Sequence, residues 1–353
     1  MKNKKTNTQK KRLVNVAVVG LGFMGQTHLR AYQKIRNARI AAVCDATRQP
    51  ENGVLRGVAG NIKDNSDGIR LGAGVKVFRD LDELLKEPGI DIIDICTPTP
   101  LHAAQVAAAL KAGKHVLCEK PLARTSADAR KVLRAAKNAR GFLMPAMCMR
   151  FWPGWGELKQ LIDKKTHGRV LAASFRRLSQ MPGWNAGKST YAAASSGGAL
   201  YDLHIHDIDF VHYLFGKPKG VFSSGVISPD GAVNHIVTQY DFPKGPAVSA
   251  EGSWIHNGAF EMGFTIHFER ATLACNLANG GAWHLDRPGK KTLVTKPRGT
   301  DGYDAEIRYF VDCVASDKLP QTVTPHDGLV ALQICEAEEK SVRLKTHVKI
   351  PSA

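Results

Sequence analysis

Residues 13–25 read Leu13-Val14-Asn15-Val16-Ala17-Val18-Val19-Gly20-Leu21-Gly22-Phe23-Met24-Gly25, and this stretch decides the fold. Seven residues, apolar but for Asn15, have the composition of a buried strand, and three glycines at G-x-G-x-x-G spacing follow at once. From Met24 to Ile35 the apolar residues take a helical period, so the chain runs strand, tight turn, helix. In that setting Gly20 permits the turn, Gly22 lets a ligand's phosphates approach the backbone, and Gly25 lets helix and strand pack closely. The uncapped N–H groups at the helix start then point at an anion.

The pattern repeats outward. Strands are expected at Leu13–Val19, Arg39–Cys44, Val75–Phe78, Asp91–Thr97, His115–Cys118 and Phe142–Cys148, with helices at Met24–Ile35, Leu81–Glu87, Pro100–Ala112 and Ser126–Ala139. Alternation of this kind builds a parallel sheet covered by helices on both faces. Residues Pro50–Gly74, rich in Gly and Asn, read as a surface insertion. Past Arg150 the run Trp152-Pro153-Gly154-Trp155-Gly156 punctuates the chain. Strand-like segments follow at Val170–Leu178, Gly220–Ser228, Val233–Asp241, Ala247–His256, Phe260–Glu269 and Ala271–Asn276, then helices at Tyr303–Ala315 and Asp327–Leu344 that pack back on the body. The fold class is therefore an α/β Rossmann domain over 13–150 plus an α+β domain over 151–353 with a large, mainly antiparallel open sheet.

Composition agrees with two folded domains: 353 residues, 43% hydrophobic and 23% charged, exclude a disordered chain or a fibre. The formal charge is +17, and residues 1–12 carry six basic groups and no acid, which leaves +11 for the rest. That dodecamer reads as a solvated, disordered tail rather than a nucleic-acid arm, since no helix-turn-helix, zinc finger or aromatic-basic motif accompanies it. No apolar run approaches the ~20 residues that cross a bilayer. The seven cysteines, Cys44, Cys96, Cys118, Cys148, Cys275, Cys313 and Cys335, are odd in number and never in C-x-x-C pairs. They predict reduced thiols in a soluble, cytoplasmic protein without specific nucleic-acid or membrane partners.

Asp45, the first carboxylate in the chain, ends the second strand twenty residues after Gly25. An acid there accepts from a ribose 2′-hydroxyl and repels a 2′-phosphate, which favours NAD; Arg48 close by leaves NADP open. The carboxyl ends of the fourth and fifth strands carry Thr97-Pro98-Thr99-Pro100-Leu101-His102 and Glu119-Lys120-Pro121, where open α/β sheets bind ligands. Pro121 makes a cis bond after Lys120 available. A third cluster spans Gly197-Gly198-Ala199-Leu200-Tyr201-Asp202-Leu203-His204-Ile205-His206-Asp207-Ile208-Asp209. If helical after the glycines, it sets Asp202, His206 and Asp209 at i, i+4 and i+7 on one face, a histidine framed by two carboxylates and suited to proton transfer. His204 then points elsewhere. A metal reading through His204, His206 and an Asp is disfavoured because H-x-H diverges on a helix, so no metal is expected.

Together, GLGFMG, TPTPLH, EKP and GGALYDLHIHDID resemble the glucose-fructose oxidoreductase / inositol dehydrogenase / MocA family of NAD(P)-dependent oxidoreductases, from about Val14 to the last helices. The resemblance implies that Lys120 lies between nicotinamide and substrate, that Asp202 and His206 are the second-domain pair, and that homodimers or homotetramers form. The cofactor segments are then Gly20, Gly22, Phe23, Met24, Gly25, Asp45, Arg48, Thr97, Pro98, Thr99, His102, Glu119 and Lys120. Lys120, Arg150, Asp202 and His206 face the substrate, with Arg150 equally readable as a support of the domain junction. The family often has glycine where this chain has His204.

The implied chemistry is reversible oxidation of a secondary hydroxyl on a sugar, inositol or related polyol. His206 accepts the proton, Lys120 stabilises the developing negative charge, and Asp202 orients the histidine or holds another hydroxyl. Lys120 lowers the proton affinity of His206 while Asp202 raises it. Two rivals remain at this level: an NAD-dependent glycoside hydrolase working by transient oxidation and elimination, and a non-catalytic nucleotide or sugar sensor. Specificity is assigned to loops such as Gln180–Tyr191, where Trp184 and Tyr191 either stack on a sugar or pack.

Overall fold

The computed structural model describes residues 12–58, 68–181 and 196–351. The basic segment 1–11, the middle of the Gly-rich insertion, and Trp184 and Tyr191 lie outside the described residues. The first half runs β1 (Val14–Val19), α1 (Phe23–Gln33), β2 (Ala38–Cys44), a small hairpin of β3 (Val54–Leu55) and β4 (Ile69–Arg70), then β5 (Lys76–Phe78) and α2 (Leu81–Leu85). It continues through β6 (Ile92–Ile95), α3 (Thr99–Lys111), β7 (His115–Glu119), α4 (Ser126–Lys137) and β8 (Leu143–Ala146). Six strands form one sheet in the order β5-β2-β1-β6-β7-β8, every pairing parallel. Strand order reverses between β1 and β6, and the crevice at that switch point is where such sheets take ligands. Pro145 sits in β8, an edge strand, where a missing N–H costs no central ladder bond.

Past β8 come a 3₁₀ turn at Cys148–Phe151, α5 (Trp155–Asp163) and β9 (Val170–Leu178). A π-helical turn at Leu200–His204 leads into α6 (Ile205–Phe215), followed by β10 (Gly220–Ile227), β11 (Val233–Asp241), β12 (Ala247–Ser253), β13 (Glu261–Phe268) and β14 (Thr272–Asn276). The chain closes with β15 (Trp283–Asp286), β16 (Leu293–Thr295), α7 (Gly302–Ala315), α8 (Pro325–Leu344) and β17 (Val348–Lys349). The second sheet has nine strands, β16-β15-β14-β13-β9-β12-β11-β10-β17, antiparallel throughout except between β9 and β12. The expectation of a largely antiparallel sheet holds, but it stopped at Asn276. The hairpin of β15 and β16 extends it, and these strands are short, with β16 wholly exposed, so no apolar alternation marked them.

α8 starts sharply because Thr324 and Asp327 cap each other's backbone N–H groups and Pro325 takes the first helical position. It packs on β10, α6 and α4, and Glu336 on α8 accepts from both the backbone N–H and the hydroxyl of Ser126 at the start of α4. α7 packs on α1, with Lys34 Nζ 2.8 Å from Asp304. The late helices thus return to the first sheet, as expected, and α6 and α8 cover one face of the second. The other face leaves Leu171, Phe222, Val226 and Val237 exposed. Among the described residues no helix is long and apolar enough to cross a membrane.

Candidate functional site

The glycine turn sits where the sequence placed it. A Cβ on Gly20 would lie 2.6 Å from the Cys96 carbonyl oxygen at the end of β6, and one on Gly25 would lie 1.8 Å from the Gly20 oxygen, so both positions exclude any side chain. Gly22 differs. Its φ is −71°, which any residue adopts, and a Cβ there meets nothing within 4 Å. Among the described residues nothing requires a glycine at that point, whereas a bound pyrophosphate does. Helix α1 begins at Phe23 with no side-chain cap, leaving its first N–H groups for a ligand. Phe23 and Met24 are half-buried at its mouth.

Asp45 turns back onto the same loop. Its Oδ1 accepts from Thr47 N, Thr47 Oγ1 and Arg48 N, and its Oδ2 accepts from Leu21 N at 2.8 Å. Those donors hold the carboxyl below its ordinary range although burial opposes them. Oδ1 is saturated, and Oδ2 keeps a free lone pair beside the turn, where a ribose hydroxyl could donate. The residues present therefore fit a nicotinamide dinucleotide. Arg48 is exposed, its backbone N–H on Asp45.

At the opposite side of the crevice, Pro98 and Thr99 open α3 and Thr97 Oγ1 donates to Gln105. His102, expected among the cofactor-binding residues, is instead buried, with Nδ1 and Nε2 each 2.7 Å from a carbonyl oxygen, Pro121 O and Thr97 O. It braces the Thr97 turn against the Glu119-Lys120-Pro121 turn, in which the Lys120–Pro121 bond is cis. Glu119 is also buried and accepts from the Lys120 backbone N–H at 2.9 Å.

Lys120 reaches across to the second half, where Nζ donates to the backbone oxygen and to Oδ1 of Asp202, both at 2.7 Å. Burial opposes its charge, but Asp202 and Glu119 keep its pKa above the ordinary lysine value, so the site holds a permanent ammonium. His206 is half-buried with Nδ1 4.0 Å from Cys148 Sγ. Burial, then Lys120 and Arg177, pull its pKa well below 6.5, and the imidazole is neutral at neutral pH.

The expected helical face does not form. The wide π turn at Leu200–His204 changes the register of Asp202 relative to α6, and Asp202, His206 and Asp209 go to separate partners. Asp202 faces Lys120, and Asp209 takes both oxygens to Arg150, Nε at 2.9 Å and Nη2 at 2.6 Å. His206 is therefore not framed by two carboxylates, and no acid raises its pKa; only the lowering effect of Lys120 matches expectation. Arg150 is a second correction. Its side chain is 3% exposed, bonded to Asp209 and the Thr322 oxygen, 3.2 Å from Asp327, and stacked over Tyr213. These contacts tie the 3₁₀ turn at Cys148–Phe151 to α6 and to the segment before α8. His204 turns to Glu338 on α8, 3.5 Å from Nε2, so the two rings of H-x-H do not converge.

The sequence reading missed two buried charge clusters. Arg177 on β9 grips Asp207 through Nε and Nη2 at 2.9 and 3.1 Å. His28 on α1 meets Asp94 on β6 and Glu119 on β7. A lone acid inside the apolar run Ile92-Ile93-Asp94-Ile95 was the available signal, since a buried carboxylate needs a partner.

Residues 14–147 match the family model described as an oxidoreductase family with an NAD-binding Rossmann fold, GFO/IDH/MocA, and residues 155–274 match the GFO/IDH/MocA C-terminal domain. Inositol 2-dehydrogenase of Salmonella typhimurium is 30% identical over 341 residues, covering 93% of this chain and 94% of that protein. Myo-inositol 2-dehydrogenase of Thermotoga maritima is 26% identical over 352 residues, 96% and 98% of the two chains. Levoglucosan dehydrogenase of Pseudarthrobacter phenanthrenivorans is 31% identical over 323 residues, 80% of each. Among solved structures, a levoglucosan dehydrogenase complex with NADH and levoglucosan superposes with a TM-score of 0.82 at 22% identity, over 97% of this chain and 100% of that one, which establishes the shared fold.

Proposed function

The chain belongs to the GFO/IDH/MocA family of NAD-binding oxidoreductases, and from that premise we propose that it oxidises a secondary hydroxyl of a sugar, inositol or related polyol, reversibly. The relatives named as inositol and levoglucosan dehydrogenases support that substrate class. The observation that carries the proposal is the meeting of a permanent ammonium on Lys120 with a neutral His206 and the carboxylate of Asp202 at the mouth of the β6 and β7 ends.

When bound, nicotinamide supplies the hydride acceptor. With Nδ1 of His206 turned to the Cys148 thiol, Nε2 is the nitrogen left to take the hydroxyl proton. The ammonium of Lys120 stabilises the negative charge that develops on the same oxygen, and Asp202 orients that ammonium. Asp202 retains a second oxygen for a neighbouring substrate hydroxyl. Gly20 and Gly25 shape the turn, Gly22 and the free α1 N–H groups hold the phosphates, and Asp45 selects the ribose.

The division at residue 150 into a dinucleotide half and a substrate half belongs to the same reading, as does a homodimer or homotetramer closed over the exposed sheet face at Leu171, Phe222, Val226 and Val237. Seven unpaired cysteines suit a reducing, cytoplasmic setting. The test is a screen of inositols, sugars and sugar derivatives with NAD and NADP, followed by absorbance of reduced cofactor and by product analysis. Lys120→Ala should abolish turnover and spare NAD binding; retained turnover refutes the assignment.

A further inference from the structure

We infer that His28, lying between the carboxylates of Asp94 and Glu119, is a positioning residue that holds the Glu119-Lys120 turn in its working geometry. The inference rests on the reading of Lys120 given above. His28 lies on α1 one helical turn beyond the last glycine of the dinucleotide loop and is fully buried. Its Nδ1 is hydrogen-bonded to Asp94 Oδ2 at 2.8 Å, and its Nε2 lies 3.2 Å from Glu119 Oε1, an ion-pair contact without hydrogen-bond alignment. Two carboxylates against one dry ring favour its protonated form by charge, Asp94 through the hydrogen bond to Nδ1 and Glu119 as an ion-pair neighbour. His102 offers the contrast: its two partners are neutral carbonyls, which bring no charge to hold a second proton, and burial lowers its pKa.

The other groups around His28 do not disturb this assignment. Cys96 Sγ is 3.4 Å from Nδ1 and 3.5 Å from Asp94 Oδ1, and burial keeps the thiol protonated. Tyr32, on the same helix, is pushed well above its ordinary pKa by burial and stays neutral. Glu306 on α7 is fully buried, and burial with Glu119 and Asp94 as neighbours holds it protonated. The charged groups are thus two carboxylates and one imidazolium, with Lys120 one residue further along. Burial is the largest single influence and works against the charge of His28, but Asp94 and Cys96 together overcome it and the pKa stands well above 6.5. His28, Asp94 and Cys96 also present ligand atoms within 4.8 Å of one another, but their mutual short contacts already account for that spacing.

The consequence reaches the reacting groups through one carboxylate. Glu119 Oε1 meets His28 while Oε2 takes the Lys120 backbone N–H at 2.9 Å, and Lys120 Nζ grips Asp202. Without the imidazolium, Asp94 and Glu119 face each other as like charges in a dry interior. Glu119 then takes a proton or turns away, the backbone of Lys120 loses its acceptor, and the ammonium shifts.

The test uses the full chain with NAD. In ¹⁵N-histidine-labelled protein an imidazolium, identified by its loss in His28→Gln, should persist at about pH 8, well above the ordinary histidine value of about 6.5. His28→Gln should lower kcat by ~10- to 100-fold, the scale on which misplaced reacting groups act, while NAD affinity measured without turnover changes by less than about threefold. Asp94→Asn keeps an acceptor for Nδ1–H but removes the charge, so His28 loses its proton as pH rises. That variant should match the wild type at low pH and lose kcat toward alkaline pH, an effect a packing defect cannot produce. A neutral His28 in the wild type, an unchanged kcat in His28→Gln, or a pH-independent loss in Asp94→Asn overturns the inference. If His28→Gln does not fold, Asp94→Asn and the shift of its imidazolium signal decide alone. Lys120→Ala, assayed alongside, separates the claims: loss of turnover there with a normal His28→Gln defeats only the positioning role.

Discussion

Gly22→Ala isolates the dinucleotide site from everything else in the molecule. The position has φ −71° and ψ −162°, and a Cβ there meets no atom within 4 Å. Alanine accordingly introduces no strain and no overlap in the protein itself. Replacing Gly stiffens the unfolded chain, worth about 0.4–1 kcal/mol in favour of folding. Against this, Gly22 is the N-cap of α1, where alanine is the poorer residue by roughly 0.5–1 kcal/mol. The two effects nearly cancel, so the ligand-free variant should melt within a few degrees of the wild type. Binding is another matter, because the added methyl stands where the pyrophosphate approaches the backbone. Overpacking a tight contact by one methyl costs about 1–3 kcal/mol, which corresponds to a roughly 5- to 150-fold weaker Kd. Calorimetric titration of NAD into both proteins, with melting curves taken in its absence and presence, reads the two quantities separately. Unchanged NAD affinity in a folded Gly22→Ala protein refutes the placement of the phosphates. Gly25→Ala cannot serve, because its Cβ would lie 1.8 Å from the Gly20 oxygen and the fold itself would suffer.

The oxidation rate should climb with pH through a value below 6.5 and level off above it, because burial and Lys120 hold the His206 pKa down and the base form is already complete at neutrality; His206→Asn should remove that limb and lower kcat by ~10²- to 10⁴-fold, measured as pH–rate profiles under conditions where chemistry limits. Asp327 accepts from Thr324 N, Thr324 Oγ1 and His212 and lies 3.2 Å from Arg150, which holds its carboxyl well below the ordinary range. A depressed folded pKa stabilises above the unfolded value of about 3.9 and is lost as pH falls through it, so Asp327→Asn should unfold about 3 kcal/mol more easily at pH 7 in urea, with the gap closing toward pH 2. At Gly252 a Cβ would lie 2.7 Å from Cβ and Nδ1 of the buried His204 ring. Gly252→Ala should cost about 1–3 kcal/mol by thermal melting, and His204→Ala in the same chain should recover part of it; additive losses would show that the two do not compete for space.

The parallel sheet, the glycine turn and the acid at the end of β2 were legible because each is fixed locally. A strand that must be apolar on both faces, a turn that only glycine fits and a carboxylate a set distance on all leave marks in contiguous sequence. Lys120 and Asp202 were nameable from motif resemblance, although only the fold brings them 2.7 Å apart across 82 positions. Arg150 was ambiguous for the same reason reversed. An arginine beside a strand end looks alike whether it faces a ligand or a buried acid, and its partner Asp209 is 59 residues away. β15 and β16 left no trace because neither buries a full face, and periodicity is a record of burial.

The π turn at Leu200–His204 was the least legible feature and the one with the most consequence. Regular helical spacing would carry Asp202 and His206 on one face, where each would tune the other's proton affinity. In the fold Asp202 instead meets Lys120, His204 meets Glu338 on α8, His206 lies beside Cys148, and Asp209, on α6 with His206, pairs with Arg150. A carboxylate spent on the lysine no longer raises the histidine, so the same backbone distortion that separates the pair leaves one group cationic and the other neutral. That asymmetry is what a proton acceptor working beside an alkoxide stabiliser requires. The turn lies between Gly198, where a Cβ would meet Asn234 and Val233, and α6, which packs on α8. Spacing on a regular helix therefore predicts a different arrangement of Asp202 and His206 from the one the π turn gives.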